Sequence, residues 1–480
     1  MIDHVALLPA YCAAGTALLA FVADLVAPGR RGVVVALTLL GTLVTGAACV
    51  LAYQGGPRET FCVLDGACSY RWTGPAALIG GLFVGATAAM LALSVPLLRS
   101  GAAPPGEYCF LLACSMTGGV VLGAAGDLIT LIVALETLTL PLYVLVGLRR
   151  SPPAAVGASA EAAVTFFVVS VVSTTVALMG AALLYAATGA VHFGPLATAL
   201  TAPAVRSIPL VGVAAVLLLA GLAFKVAAVP FHAWAPSTYD GSPVPVAAYL
   251  STASKLGGVV AVLYVATGPL RPWSDVTGVF FAVVSVLTMT VGNLGALRQK
   301  RMVRLLAWSS VAQAGYILAP LTVVSATSAT AALAYTVFYV LLELGAFAAV
   351  VALRGTADGG GLADYGGAAR RHPWVCAGLV LALAGLAGLP PGLAGLFAKV
   401  GVVRALLDGG AGWLAVVLAV NAVIGLAYYL RAALSVFGPA PATASWPRIP
   451  TAVALALVAT AVAALVAGLA PDLVLSLAAR

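Results

Sequence analysis

Hydrophobic residues occur along this chain in long uninterrupted blocks rather than in an alternating or amphipathic pattern. A block of about 20 apolar residues matches a helix that crosses a bilayer. About fourteen such blocks recur between short segments rich in Pro, Gly or Arg: 5–27, 33–53, 76–98, 107–124, 127–147, 160–187, 208–230, 246–268, 276–297, 302–324, 329–353, 374–400, 412–437 and 450–470. The pattern predicts an all-α polytopic membrane protein, whose first helix is retained because no polar mature domain follows it.

The composition supports this class and excludes several others. Of the 480 residues 62% are hydrophobic and 8% charged, with a mean hydropathy of +1.12, whereas soluble domains carry about 25% charged residues. No Gly-rich turn between a strand and a helix is present, so the chain is not expected to bind NADH itself. The basic residues are scattered over loops, and this distribution excludes a nucleic-acid-binding stripe.

Cysteine and histidine spacing indicates no metal site on this chain. The seven cysteines form no CxxC motif, and the four histidines lie far apart in the sequence, so neither an iron–sulfur cluster, a zinc site nor a haem is expected. Cys62 and Cys68 share the polar loop 58–72. A disulfide between them is possible if this loop faces an oxidising side, and two free thiols are the alternative.

The distribution of Lys and Arg predicts the orientation. With the N-terminus outside, thirteen of these residues fall in inner loops and six in outer loops and the C-terminus. Because positive residues accumulate in cytoplasmic loops, we expect the N-terminus outside. This orientation also places Cys62 and Cys68 outside.

Lysine and arginine are used differently. Among 19 Arg, all but Arg431 lie in loops or tails, whereas Lys225, Lys255 and Lys399, three of only four Lys, lie in apolar blocks. A charge in the middle of a membrane helix costs roughly 3 kcal/mol on insertion scales. A buried lysine can release its proton, while a guanidinium stays charged. The pattern therefore favours proton movement; static pairs or side chains that snorkel to the membrane surface are the alternative.

Two of these lysines lie beside predicted helix breaks. Lys225 precedes Pro230 by five residues, and Lys399 follows the Pro390-Pro391-Gly392 segment. Broken helices in corresponding positions of two halves are typical of transporters. We therefore expect broken helices 7 and 12 in two inverted five-helix repeats. The predicted division is 1–106 for helices 1–3, 107–268 for helices 4–8, 276–437 for helices 9–13 and 450–480 for helix 14.

Acidic partners for the lysines are few. Glu136 and Glu343 lie in the middle of apolar blocks. A carboxylate that approaches and leaves an ammonium makes a proton switch, and we assign this role to Glu136. For Glu343, a role in proton transfer and a structural role are equally compatible with the sequence. His232 and Asp240 are secondary candidates that either relay protons or fix the loop after helix 7.

Further motifs surround these residues: Phe224-Lys-Val-Ala-Ala-Val-Pro-Phe-His-Ala-Trp-Ala-Pro236, Tyr239-Asp-Gly-Ser-Pro243, Ser251-Thr-Ala-Ser-Lys255, Asn293-Leu-Gly-Ala-Leu-Arg298, Arg304-Leu-Leu-Ala-Trp-Ser-Ser310 and Ala427-Tyr-Tyr-Leu-Arg431. Over nearly its whole length the chain resembles the antiporter-like membrane subunits of respiratory complex I, the bacterial NADH:quinone oxidoreductase. Within that family it is most similar to the subunit N branch. The family's helix-5 Glu matches Glu136, and its lysines of helices 7, 8 and 12 match Lys225, Lys255 and Lys399.

The resemblance implies a proton channel in the membrane arm of a complex in the bacterial plasma membrane. It implies no cofactor on this chain, with quinone, NADH, FMN and iron–sulfur clusters on partner subunits. The expected partners are the other membrane-arm subunits and the lipid bilayer. A subunit of a multi-subunit sodium(cation)/proton antiporter and an inert structural spacer are the alternatives.

One position departs from the family pattern. The helix-6 motif Glu-Ala-x-x-Lys is Glu161-Ala-Ala-Val-Thr165 in this chain. Thr165 cannot influence Glu136 by charge, so the usual coupling of this pair is in doubt. The spacer alternative rests on this substitution.

Overall fold

The computed structural model describes residues 2–63, 66–150, 153–325, 327–441 and 446–479. Within these ranges eleven helices are long and apolar enough to cross a membrane, and Pro209–Lys225 and Pro373–Ala387 are shorter apolar helices. Each of the fourteen predicted blocks coincides with one helix or with consecutive helices. The predicted all-α polytopic class is therefore confirmed.

The N-terminal part contains the β-strands of the described chain. Its elements are α1 (Leu8–Val26), α2 (Arg31–Gln54), β1 (Arg58–Cys62), β2 (Cys68–Trp72), α3 (Gly74–Leu93) and α4 (Val95–Arg99). The strands form an antiparallel hairpin in which Cys62 is opposite Cys68, and a disulfide joins the two residues. The segment expected to be a polar loop therefore contains two paired strands, β1 and β2. Each strand has five residues, too few for an alternating pattern that could have predicted it.

The next part carries Glu136, Lys225 and Lys255. Its elements are α5 (Pro105–Gly123), α6 (Leu128–Gly147), α7 (Pro153–Thr188), α8 (Phe193–Thr201), α9 (Pro203–Arg206), α10 (Pro209–Lys225), α11 (Trp234–Gly241), α12 (Val244–Tyr249) and α13 (Lys255–Thr267). A π-helical turn, Leu250–Ser254, joins α12 to α13. Such turns interrupt the regular hydrogen bonds of a helix and are frequent at functional sites.

The remaining part carries Glu343 and Lys399. Its elements are α14 (Ser274–Leu297), α15 (Met302–Leu318), α16 (Ser328–Arg354), α17 (Ala368–Arg371), α18 (Pro373–Ala387), α19 (Leu393–Asp408), α20 (Gly412–Ser435), α21 (Thr451–Leu469) and α22 (Pro471–Ala479). Short 3₁₀ turns at Arg271–Trp273, Ala319–Thr322 and Leu362–Tyr365 connect them.

Two spans occupy the centre of the bundle. The apolar window of Val244–Thr267 is 100% buried and that of Ser328–Arg354 is 94% buried, compared with 28% for Ala155–Thr188. Because a helix that is apolar on all sides can be buried on all sides, these two spans lie away from lipid. The charged residues on them are therefore enclosed by protein.

Both predicted helix breaks are present. α10 ends at Lys225, earlier than predicted, because the chain unwinds before Pro230, which has no N–H for a helical hydrogen bond. Ala227 in this break has a φ of +57°. α18 ends at Ala387, followed by Gly388 with a φ of +85°, a conformation that glycine adopts without strain.

Small residues allow α7 and α10 to pack closely. A Cβ atom on Gly180 would lie 2.4 Å from the backbone nitrogen of Leu218, and one on Gly221 would lie 2.6 Å from the Cβ of Ala177. Close backbone approach through small residues is the usual way in which membrane helices associate. It brings the end of α10, with Lys225, against α7.

An ion-pair network joins distant loops at one end of the bundle. Arg301 binds Asp240 through Nε at 2.8 Å and Asp358 through Nη2 at 2.9 Å. Arg354 adds contacts to Asp358 at 3.4 Å and to Asp364 at 3.7 Å. We name these five residues the rim cluster. It ties the end of α11 to the loops before α15 and after α16.

Replacement of Gly180 by Ala is expected to destabilise the fold by about 1–3 kcal/mol, because α7 and α10 must separate to admit the new Cβ. Gly157→Ala, also in α7, is the matched control, since a Cβ there meets nothing within 4 Å. The measurement is the thermal unfolding midpoint of the detergent-solubilised protein by size-exclusion chromatography. Equal midpoints for the two variants would contradict the proposed close packing.

Stability should depend on pH through Asp358. Burial raises the pKa of Asp358, but its hydrogen bond to Arg301 and the charges of Arg301 and Arg354 outweigh this effect, so the pKa lies below the ordinary value of 3.8. The stabilisation is therefore fully present above pH 3.8 and disappears as the pH falls through the lowered pKa.

Asp358→Asn should therefore lower the unfolding midpoint at neutral pH, and the deficit should shrink when the pH falls below 3.8. Asp408→Asn is the control, because Asp408 forms a long ion pair, at 3.9 Å, with the exposed Arg404. A deficit of the same size at every pH would rule out this role of the carboxylate charge.

Candidate functional site

Lys225 and Glu136 meet in a direct ion pair between α10 and α6. Lys225 Nζ donates to Glu136 Oε1 at 2.7 Å. The lysine side chain is 3% exposed, whereas the glutamate side chain is 23% exposed. The pair therefore has a buried cationic end and an anionic end that reaches the lateral surface of the bundle.

Hydroxyl groups complete the surroundings of this pair. Lys225 Nζ also donates to Ser170 Oγ at 2.8 Å and to Thr139 Oγ1 at 3.2 Å. Thr174 Oγ1 donates to Glu136 Oε1 at 2.7 Å. The three N–H groups of the ammonium thus have three acceptors, one of them charged.

Sequence reasoning missed Thr139, Ser170 and Thr174. The available signal was helical spacing: Thr139 lies three residues after Glu136, and Thr174 lies four residues after Ser170, so each pair shares a helix face. Serine and threonine also occur in membrane helices as ordinary packing residues. Their number therefore concealed the ones that serve the ion pair.

No hydrogen bond joins Thr165 to Glu136 or Lys225 among the described residues. Thr165 is half-buried on α7, and Glu161 is exposed. The α7 residues that reach the pair are Ser170 and Thr174. This helix therefore offers hydroxyl groups to Glu136 and Lys225, and no second cation.

Lys255 lies at the start of α13 and is almost fully buried. Its Nζ donates to the carbonyl oxygen of Ser310 and, at 3.0 Å, to the hydroxyl oxygen of the same residue. Glu343 on α16 is fully buried and accepts a hydrogen bond from Ser251 Oγ at 3.1 Å. Lys255 and Glu343 interact electrostatically without the short contact that joins Lys225 to Glu136.

The side chain of Lys399 is bound by a backbone carbonyl group. From α19 its Nζ donates across the helix break to the carbonyl oxygen of Leu386 at 2.7 Å and lies 5.5 Å from the ring centroid of Tyr316. The last carbonyls of a helix carry partial negative charge and stabilise cations. The end of α18 therefore takes the place that Glu136 occupies beside Lys225.

A polar network connects the environment of Lys399 to α15, α16 and α20. Gln313 Nε2 donates to the same Leu386 carbonyl at 3.0 Å and to the Tyr429 hydroxyl at 2.9 Å. Tyr335 donates to Gln313 Oε1 at 2.6 Å, and the hydroxyls of Tyr429 and Ser309 share a hydrogen bond. The network therefore ends at Ser309, the residue that precedes Ser310 in α15.

A second branch leads from the Tyr316 ring to α14 and α20. Asn293 Nδ2 donates to the Tyr316 hydroxyl at 3.1 Å and to Asn421 Oδ1 at 3.1 Å. Tyr428 donates to Asn293 Oδ1 at 3.0 Å. Sequence reasoning missed both branches because their members are uncharged.

Of the three secondary candidates, His232 and Asp240 form no hydrogen bond or ion pair with the lysines within the described residues. Asp240 belongs to the rim cluster through Arg301. The half-buried His232 packs its ring 5.3 Å from that of Trp308. Among the residues placed by the structure, no three His, Cys, Asp or Glu side chains come together in a way that could hold a metal ion.

Comparison with known proteins identifies relatives along the full length. Residues 125–425 match the family model described as "NADH:quinone oxidoreductase/Mrp antiporter, TM". The chain is similar to NADH-quinone oxidoreductase subunit N of Salinispora tropica, with 59% identity covering 100% of this chain and 99% of that protein.

Solved structures have the same fold. A chain of respiratory complex I from Thermus thermophilus is 32% identical, with a TM-score of 0.82, and the match covers 98% of this chain and 99% of that one. A chain of the Mrp complex from Dietzia sp. has a TM-score of 0.85, with 100% and 97% coverage, but at 24% identity it shows the fold alone. The resemblance inferred from the sequence motifs is confirmed: the chain belongs to the NADH:quinone oxidoreductase/Mrp antiporter membrane-subunit family, in its subunit N branch.

Proposed function

We propose that this chain translocates protons across the membrane through Glu136, Lys225, Lys255 and Lys399, as subunit N in the membrane arm of a proton-translocating NADH:quinone oxidoreductase. The observation that carries the proposal is the hydrogen-bonded pair of Lys225 and Glu136 at the end of a broken helix. Ionisable groups inside a membrane protein are costly and typically mark ion or proton pathways.

The environments of the lysines suit proton exchange. An ammonium beside a carboxylate retains its proton, and the same group releases it more readily when the carboxylate moves away. Glu136 is in a position to act in this way because its side chain, unlike that of Lys225, reaches the surface of the bundle. A change outside the chain can therefore alter the pair.

We infer that protons enter from the cytoplasmic side near Lys225, continue through Lys255 and leave through Lys399. Polar contacts support the later part of this route, since Ser310 binds Lys255 and the neighbouring Ser309 belongs to the network around Gln313. The route assumes an N-terminus outside, which the excess of Lys and Arg in the inner loops supports.

Two inverted repeats of five helices, 107–268 and 276–437, account for this arrangement. Lys225 and Lys399 both lie beside a helix break. Lys225 is the last residue of α10, where the first break begins, and Lys399 lies in α19, which follows the second break. Paired broken helices at the centre of a membrane protein are a feature of transporters built from inverted repeats.

The chain has no redox centre in this proposal. It is a multi-pass protein of the bacterial plasma membrane and works with other membrane-arm subunits. The free energy that drives proton translocation comes from quinone reduction elsewhere in the complex. NADH, FMN, iron–sulfur clusters and quinone are assigned to those partners. The relative from Thermus thermophilus is itself a chain of respiratory complex I.

Lys225→Ala and Lys399→Ala should each abolish most NADH-driven proton translocation in inverted membrane vesicles. Each removes an ammonium that the route requires, while the partner subunits still oxidise NADH. The measurement is the quenching of a pH-sensitive dye, together with NADH oxidation and a check of complex assembly by native electrophoresis.

Lys300→Ala is the matched control, because Lys300 is the exposed lysine before α15 and should leave translocation unchanged. Undiminished translocation by fully assembled Lys225→Ala and Lys399→Ala complexes would refute the route. Proton exchange that needs sodium and proceeds without NADH would instead support the antiporter alternative.

A further inference from the structure

Glu343 is a buried carboxylate with an unused oxygen atom. It is 0% exposed. Its Oε1 accepts a hydrogen bond from Ser251, whereas Oε2 has no hydrogen-bond partner among the described residues. Leaving a buried charged oxygen unpaired is unfavourable, so this oxygen requires an explanation that ordinary packing does not supply.

The surroundings of Glu343 are arranged by two facing helices. Ser251 and Lys255 are four residues apart, as are Tyr339 and Glu343, so each pair lies on one helix face. The Tyr339 hydroxyl donates to the Ser251 carbonyl at 2.8 Å. The π-helical turn Leu250–Ser254 immediately precedes Lys255, and this turn holds Ser251 between the two helices.

The Tyr239 hydroxyl is a second unpartnered group near this cluster. It is buried and has no hydrogen-bond partner within the part of the chain that the structure describes. It interacts electrostatically with Glu343 and lies close to Ser310, the residue that binds Lys255. The Tyr239 hydroxyl therefore belongs to the same buried polar cluster as Ser310 and Glu343.

We propose that Glu343 and Lys255 form a second carboxylate–lysine centre, in which Glu343 accepts and returns the proton of Lys255 and thereby acts as a proton store in the middle of the protein. The proposal rests on the proposed function and deepens it, because it adds a catalytic residue to the route through Lys255.

The transfer is balanced within the pair. The Lys255 Nζ–H bond breaks with its electron pair left on nitrogen, and an O–H bond forms at Glu343 Oε2. Ammonium and carboxylate become amine and carboxylic acid, so the net charge of the pair is zero before and after. We assign the transfer between the two side chains to a bridging water, because water is the common partner of buried unsatisfied polar groups.

Because the Lys255–Glu343 pair can be neutral overall, it stores a proton at lower cost than a lone buried lysine. A lone buried lysine alternates between a costly cation and a neutral amine. With Glu343 beside it, the pair keeps one proton at no net charge and accepts a second proton when it becomes singly positive. A proton from Lys225 can then load the centre, and Lys399 can unload it.

The two carboxylate–lysine centres differ in exposure. Glu136 reaches the bundle surface, with 23% of its side chain exposed, whereas Glu343 is enclosed. The first is open to control from outside the chain. The second responds only to protons that arrive along the buried route.

The test compares Glu343→Gln and Glu343→Asp in the complete complex with its native partner subunits. Gln keeps the shape and an acceptor for Ser251 but cannot bind the proton, so most proton translocation per NADH oxidised should be lost. The Asp variant keeps a carboxylic acid at this position and should retain part of the proton translocation. Glu107→Gln, which alters a 56% exposed carboxylate, is the matched control and should translocate protons normally.

Infrared difference spectroscopy supplies a readout that a structural role would not change. During turnover the unmodified complex should show the C=O stretch of a newly protonated carboxylic acid. This signal should shift in Glu343→Asp and disappear in Glu343→Gln. The Asp variant keeps the measurement decisive if the Gln variant does not assemble, since an unshifted signal would overturn the proposal.

The outcomes separate this proposal from the route itself. If Lys225→Ala abolishes translocation while Glu343→Gln preserves both translocation and the infrared signal, the second centre is wrong and the route stands. If Lys225→Ala, Lys399→Ala and Glu343→Gln all translocate protons normally, both the route and the second centre are wrong.

Discussion

A cation in the interior of a membrane protein needs electron-rich neighbours, and this requirement organises the structure around Lys225, Lys255 and Lys399. Lipid supplies no such neighbours. Each lysine is therefore bound by the protein in a different way: by the Glu136 carboxylate, by the Ser310 carbonyl and hydroxyl, and by the Leu386 carbonyl near the end of α18. The three sites therefore differ in the charge of the group that binds the ammonium.

The helix breaks follow from this requirement. A continuous helix uses its carbonyl groups for its own hydrogen bonds, so it has none to offer a side chain. The interruption after Ala387 frees the Leu386 carbonyl, which then binds both Lys399 and Gln313. Within the unwound segment Gly388 and Gly392 are buried, whereas Leu389, Pro390 and Pro391 between them are exposed.

Hydropathy and charge predicted much of the fold and the charged part of the site. Fourteen apolar blocks located the helices, and the rarity of lysine in them identified Lys225, Lys255 and Lys399. The positions of the breaks followed from Pro230 and from the Pro390-Pro391 pair. Charged side chains and interrupted helices are costly inside a membrane, so they are rare there. Their positions can therefore be recognised in a single sequence.

The uncharged part of the site could not be predicted. Ser170, Thr174 and Gln313 belong to helices that also contain other uncharged polar residues. Only contacts between helices distinguish the residues at the site from the others. The hairpin 58–72 was also missed, because its strands of five residues are too short for a reliable alternation. Contacts between distant segments, such as Arg301 with Asp240, carry no local signal at all.

The rim cluster has a mechanical consequence. Arg301 binds Asp240 and Asp358, so the end of α11 and the loops flanking α15 and α16 are held together at one edge of the bundle. Carriers that rock two rigid halves around a central site need that edge to open. Opening this edge would break the ion pairs of Arg301 with Asp240 and Asp358, so the rim cluster opposes a rocking motion there.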